Sequence, residues 1–233
     1  MRPLGEHLSR RGFTVLAPRL CGHGTTPEDL RRTTWPDWYN TVLDGYHLLA
    51  ALCEEVAAVG LSMGGLLALL LGCQQPVSRV AALSAPIILA DRRLPFLPVY
   101  RWFRSYVKKP RSRWIDEHIT YDRMPVQSID SLLDLIKHVD GKLPSFTKPL
   151  LVMQSRVEHT VRPESARHIL RRAGSMDKQL VWLERSGHLI TLDVEQDRVF
   201  AEVAAFLEKE AGESLPAGQY KNKFSKEDEA DQK

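Results

Sequence analysis

Short apolar runs alternate along this chain with stretches whose apolar residues recur at helical spacing. Leu4 to Arg11 reads as a short helix, Phe13 to Ala17 as a strand, and Arg19 to Thr34 as a long loop. Trp35 to Leu52 places Trp38, Val42, Tyr46 and Leu49 on one helical face behind a start signal, Thr34-Trp35-Pro36. Val56 to Val59 reads as a strand, and the run Leu66 to Leu71 after it as a buried helix. Val80 to Leu83, Leu150 to Met153 and Leu180 to Leu183 give three more strands, and Val194 to Leu207 a closing amphipathic helix. The strand runs are continuously apolar rather than alternating, as expected where both faces are covered. Strands and helices in alternation predict an α/β protein with a mostly parallel sheet and helices on both faces.

The alternation stops between Pro86 and Phe146, where about sixty residues intervene although a short connection would suffice. The chain therefore divides into a first core part (1–85), an insertion (86–146) and a second core part (147–210). A charged tail (211–233), with too few apolar residues to pack, is expected to be disordered. The insertion carries Phe96, Leu97, Tyr100, Trp102, Phe103, Tyr106 and Trp114, then Leu132, Leu133, Leu135 and Ile136 at helical spacing. From Arg92 to Arg113 it holds eight Lys or Arg and no acid. A solvated basic face is the ordinary reading; weak contact with an anionic membrane surface is the functional one.

Composition narrows the function classes. A chain of 233 residues, 43% hydrophobic, is long enough to bury one substantial core. Its formal net charge of +3 comes without a nucleic-acid motif, so no nucleic-acid partner is expected. Cys21, Cys53 and Cys73 are odd in number and widely spaced, which gives neither a disulfide framework nor a zinc site and suits a reducing cytoplasm. No apolar signal core opens the sequence, and no apolar run is long enough to span a bilayer. No metal or organic cofactor is implied, and the oligomeric state is left open.

The chemistry centres on Gly60-Leu61-Ser62-Met63-Gly64, set between a predicted strand and a predicted helix. A sharp strand-to-helix turn exposes the serine hydroxyl, and a Cβ two places to either side is expected to strike the neighbouring main chain. The helix starting at Met63 directs backbone N–H groups and its positive dipole end at an oxyanion formed beside Ser62. Downstream come Glu158, just past one strand, and His188, in the loop after the next. The order Ser, acid, His is that of α/β-hydrolases. Asp193 reads as a cap of the last helix, and Asp177 as part of a turn before a strand. His159 is expected on the surface and His23 as a holder of its own loop. His7, His47, His118, His138 and His168 fall on predicted helices.

Ala58-Val59-Gly60-Leu61-Ser62-Met63-Gly64-Gly65, the loop Cys21-Gly22-His23-Gly24, and Ser186-Gly187-His188-Leu189-Ile190-Thr191-Leu192-Asp193 resemble a small carboxylesterase of the α/β-hydrolase fold. That group includes bacterial monoacylglycerol lipases, and the likeness runs from about Arg2 to Leu207. The resemblance implies a helical cap in the insertion, Ser62 as nucleophile, and His188 as general base and then acid. It implies Glu158 as the orienting carboxylate, in a place where the family usually has Asp, and the Met63 N–H as an oxyanion donor. It implies hydrolysis of a small-molecule carboxylic ester, and the apolar content of the insertion favours uncharged acyl chains of short to medium length. A monoacylglycerol lipase is the near alternative.

In this fold the second oxyanion donor comes from a loop ahead of the first helix. Since Met1 to Arg11 resembles that helix, the chain is expected to be N-terminally truncated relative to its natural form, lacking the loop and a strand between Phe13–Ala17 and Val56–Val59. The alternative from another class follows: a catalytically weak relative that acts as a binding protein.

Overall fold

The computed structural model describes residues 1–91, 104–108 and 121–209. The first part contains α1 (Arg2–Arg10), α2 (Pro27–Arg31), α3 (Trp35–Ala50), β1 (Ala58–Leu61), α4 (Met63–Gln74) and β2 (Val80–Leu83). A short antiparallel pair follows, β3 (Tyr106–Lys108) and β4 (Arg123–Pro125). Then come α5 (Val126–Lys142), β5 (Leu150–Ser155), α6 (Glu164–Arg172), β6 (Lys178–Leu183) and α7 (Gln196–Glu208).

The four strands β1-β2-β5-β6 pair in that order, all parallel. Alternate residues enter two separate cores, because successive side chains of a strand point to opposite faces. Val80, Ala82, Leu150 and Val152 pack with α3, α4 and α5, while Ala81, Leu83, Leu151 and Met153 pack with α1 and α7. The sheet is thus covered on both sides, as the continuous apolar runs predict. Helix α4 is apolar all round, and Leu66 to Leu71 are all buried, so it lies between the sheet and the outer helices α3 and α5 rather than at the surface.

Several sequence expectations shift. Phe13–Ala17 has no regular secondary structure and joins no ladder among the described residues. A strand is defined by its partner, and among the described residues none pairs with this segment; Val15 and Leu16 remain 40% exposed, against the faces of Gly5 and Gly45. The loop Arg19 to Thr34 contains α2, whose first turn is held by the Thr26 side chain accepting from the Asp29 N–H, with Pro27 at its first position. That signal was present in the sequence. Strand β1 starts two residues later than expected, at Ala58.

Within 86–146 the helical spacing at Leu132 to Ile136 is realised as α5, whose Leu135 and Val139 are buried against the main core. Tyr121 ties the start of β4 to the Gly22–Thr25 loop: its hydroxyl donates to the Gly22 carbonyl and accepts from the Thr25 N–H. Glu28 accepts from both Tyr106 and Arg123, joining α2 to the β3–β4 pair. The aromatics Phe96 to Phe103 and Trp114, most of the basic stretch Arg92–Arg113, His118 and the charged tail lie outside the described residues.

Candidate active site

Ser62 follows β1 directly and opens α4 with φ 55°, ψ −124°. A non-glycine residue in that region stores strain of about 1–3 kcal/mol, held here by packing on both sides of the turn. The Ser62 N–H continues the ladder by donating to the Leu83 carbonyl at 2.8 Å, so the turn begins at the last paired position. The glycine requirement differs in detail from expectation. A Cβ on Gly60 would penetrate the carbonyl of Gly64, and one on Gly65 would meet the Ala85 methyl at 3.0 Å and the Gly60 carbonyl oxygen at 3.2 Å. A Cβ on Gly64 meets nothing within 4 Å among the described residues. The first helical turn leans back on β1, so the crowded pair is Gly60 and Gly65, while Gly64 contributes the carbonyl that Gly60 must accommodate.

Two long-range hydrogen bonds complete the site. His188 Nε2 lies 2.8 Å from Ser62 Oγ. His188 Nδ1 lies 3.1 and 3.2 Å from the two carboxylate oxygens of Glu158. An ionised carboxylate only accepts, so the ring proton belongs on Nδ1, and Nε2 is left to accept from the serine hydroxyl. The Glu158 side chain is fully buried, and its Oε1 also accepts the Val161 N–H at 2.5 Å. Glu158 stands three positions beyond the end of β5.

That loop is strapped to the segment following β2. Ala90 N–H donates to the Thr160 carbonyl, Arg162 N–H to the Ile88 carbonyl, and Ser165 Oγ exchanges hydrogen bonds with the Ile88 main chain. Ser62, Glu158 and His188 therefore meet at the carboxyl ends of β1, β5 and β6, where open parallel sheets expose their loops. The N–H groups of Met63 and Gly64 belong to the first turn of α4, where no intrahelical acceptor exists.

The other candidates fall away from the site. His159 is exposed, and Asp177 precedes β6. His23 keeps its own loop, with Nδ1 3.1 Å from the Cys21 carbonyl and its ring edge-on to Trp38. His168 is paired with Asp140 on α5. Asp193 does not cap the last helix; the capping position is Glu195, and Asp193 Oδ2 instead accepts the Gly187 N–H at 2.7 Å. Sequence reasoning missed Ser155, Ser186 and Glu195, which bind the loops carrying Glu158 and His188. Ser186 opens the quoted His188 segment, but nothing local marks its pairing with the Glu195 side chain, and most of the other partners of the three are main-chain groups. Cys21, Cys53 and Cys73 form no disulfide. Among the described residues no group of three or more His, Cys, Asp or Glu converges as a metal site, and no helix is long and apolar enough to cross a membrane.

Comparison with known proteins agrees with this architecture. The family model described as serine aminopeptidase, S33 (Hydrolase_4) matches residues 1–195. A carboxylesterase of Bacillus subtilis (strain 168) is 37% identical over 213 residues, 90% of this chain and 87% of that protein. A thermostable monoacylglycerol lipase of Bacillus sp. (strain H-257) is 35% identical over 221 residues, 91% of this chain and 86% of the relative. Among solved structures, one from a pair of metagenome-derived lipolytic enzymes superposes with a TM-score of 0.84 at 31% identity, covering 90% of this chain and 88% of its own. The monoacylglycerol lipase of Paleococcus ferrophilus shares the fold, with a TM-score of 0.74 at 17% identity over 88% of this chain and 87% of its own. The chain belongs to the S33 family, within the α/β-hydrolases.

Proposed function

We propose that this protein is a carboxylesterase that cleaves uncharged esters of short to medium acyl chain through an acyl-serine intermediate. The observation that carries the reading is the continuous chain from Ser62 Oγ through the His188 imidazole to the buried Glu158 carboxylate. Ser62 Oγ attacks the ester carbonyl carbon as its proton passes to His188 Nε2, and the carbonyl oxygen becomes an oxyanion facing the Met63 N–H. Collapse breaks the carbon–oxygen bond to the alcohol, which takes the proton from Nε2. Water then attacks the acyl-serine, again deprotonated by His188, and the acid leaves as Ser62 recovers its hydrogen. Glu158 fixes the tautomer and stabilises the imidazolium formed in both halves.

Carboxylesterase and lipase relatives at 37% and 35% identity support ester substrates. A monoacylglycerol lipase is the second reading, favoured by the latter relative. The insertion 86–146 serves in this proposal as the cap over the acyl site, and a reducing cytoplasm suits the three unpaired thiols. The test is a panel of p-nitrophenyl esters from acetate to laurate, run beside a monoacylglycerol and aminoacyl amides. Highest kcat/KM is expected on the short and medium esters. Preference for the monoacylglycerol would shift the assignment to lipase, and faster turnover of the amides would overturn it in favour of the aminopeptidase activity named by the family model.

The carboxylate assignment has its own check. Glu158→Gln is expected to lower kcat by about a hundredfold or more, because the amide no longer holds the imidazolium. Glu158→Asp keeps the charge and is expected to retain part of the rate. If Asp193→Asn proved the more damaging change in kcat, the acid would be misassigned.

A further inference from the structure

The loop between β6 and His188 has an unusual support. Four consecutive N–H groups, those of Glu184, Arg185, Ser186 and Gly187, all point at carboxylates that follow His188 in sequence. Glu195 Oε1 accepts from Glu184 N–H at 3.3 Å, and Glu195 Oε2 accepts from Arg185 N–H at 2.9 Å, Ser186 N–H at 2.9 Å and Ser186 Oγ at 2.7 Å. Asp193 Oδ2 takes the fourth, from Gly187 at 2.7 Å. Successive N–H groups turned to one side form an anion-binding concavity. Here the protein fills it with its own side chain, 8% exposed at the start of α7. The ring so closed runs from β6 through His188 to α7. It is joined to the acid loop by Ser155, whose hydroxyl donates to the Ser186 carbonyl and accepts from the Val157 N–H, one residue before Glu158.

We propose that Glu195 is a positioning residue for catalysis: its carboxylate organises loop 184–187 so that His188 stands in line between Ser62 and Glu158. This rests on His188 being the proton carrier of the preceding section. Ser186 and Gly187 have no strand partner; Asp193, Ser155 and Arg156 each give the loop one hydrogen bond, at Gly187, Ser186 and Glu184, while Glu195 Oε2 alone gathers three donors. Burial by itself would raise the Glu195 carboxyl, but the Ser186 hydroxyl and the N–H groups of Arg185, Glu184 and Ser186 outweigh it and bring it from 4.5 down to about 2. The support is therefore fully charged over the whole range in which an imidazole can act as a base. A neutral amide at the same place keeps the shape but loses one acceptor oxygen and the charge that tightens the hydrogen bonds.

The test compares Glu195→Gln, Glu195→Asp and Ser186→Ala with wild type, each normalised to folded protein by circular dichroism. For Glu195→Gln, kcat is expected to fall about tenfold to a hundredfold, as for a catalytic group displaced by a fraction of an ångström to an ångström. KM should stay within about twofold, and the second-order rate of fluorophosphonate labelling of Ser62 should fall in parallel with kcat. Glu195→Asp, which keeps the charge, should recover part of both rates. Ser186→Ala, which deletes only the hydroxyl donor, should lose about threefold to tenfold in kcat.

A purely structural role would lower the melting temperature and leave kcat per folded molecule and labelling unchanged. Folded Glu195→Gln with kcat and labelling within about twofold of wild type overturns the proposal. If Glu195→Gln does not fold, Ser186→Ala with wild-type kcat overturns it. Ser62→Ala in the same series separates the two readings. Its retention of activity would remove the triad itself, whereas its inactivity beside a fully active Glu195→Gln removes only the role of Glu195.

Discussion

Ser62→Ala is expected to reduce kcat on a p-nitrophenyl ester by at least about a thousandfold and to abolish fluorophosphonate labelling, with the melting temperature within a few degrees of wild type. The large effect on rate follows from the site: Ser62 Oγ is the group 2.8 Å from the base, and without it no acyl-enzyme can form. The small effect on stability follows from the turn. The fold is held there by the Ser62 N–H bond to Leu83 and by helix packing, neither of which uses the hydroxyl. Alanine is also strained at φ 55°, but no more than serine. Activity near wild type in the purified variant would refute the nucleophile assignment.

Gly60→Ala is expected to have the largest effect on folding, and Gly64→Ala, four residues away in the same motif, almost none. A methyl at Gly60 would overlap the carbonyl oxygen and carbon of Gly64 and lie 2.6 Å from the Gly65 nitrogen. All are main-chain atoms of α4, so no rotamer change relieves the clash, and either β1 or the first turn of α4 must shift. A cost of about 3–5 kcal/mol is expected, near the upper end for a point substitution, with a fall in melting temperature on the order of 10 °C. At Gly64 the added methyl meets no atom of the described residues within 4 Å, and alanine in a first helical turn carries an intrinsic benefit of up to about 1 kcal/mol. Thermal melts of the two variants decide the matter. Equal melting temperatures would mean that the elbow is more pliable than its geometry indicates.

Both predictions start from the same pentapeptide, yet only one of them could be drawn from the sequence. Gly-x-Ser-x-Gly between an apolar strand and an apolar helix is a local signal, and a local signal suffices for an exposed serine on a tight turn. Which glycines are crowded depends on the angle at which α4 leaves β1, and that angle is set by packing against β2 and α5. The sequence reading put the second clash at Gly64; packing puts it at Gly65, against Ala85.

Apolar patterning alone establishes the α/β class, the strands β2, β5 and β6, and the helices α1, α3 and α7 to within a few residues at their ends; it marks helical spacing inside α5 without its ends, and residue type and placement give Ser62, Glu158 and His188 as candidates in that order. Period and apolar content are properties of neighbouring residues, so they survive without knowledge of partners. It did not determine whether Phe13–Ala17 is a strand, because pairing is a property of two segments. Chemistry alone did not separate Glu158 from Asp193, since both are carboxylates; only the position of Glu158 just past a strand favoured it. The tertiary structure separates them. Strand order and the straps from Ile88 and Ala90 bring Glu158 to His188 Nδ1, while Asp193 turns to the Gly187 N–H. The contact that makes a site, Ser62 to His188, spans 126 positions of chain. Such a contact joins side chains far apart in sequence, and the Glu195 support of the histidine loop joins a carboxylate mainly to backbone N–H groups; no residue pattern encodes either, and both follow from the packed sheet and its loops.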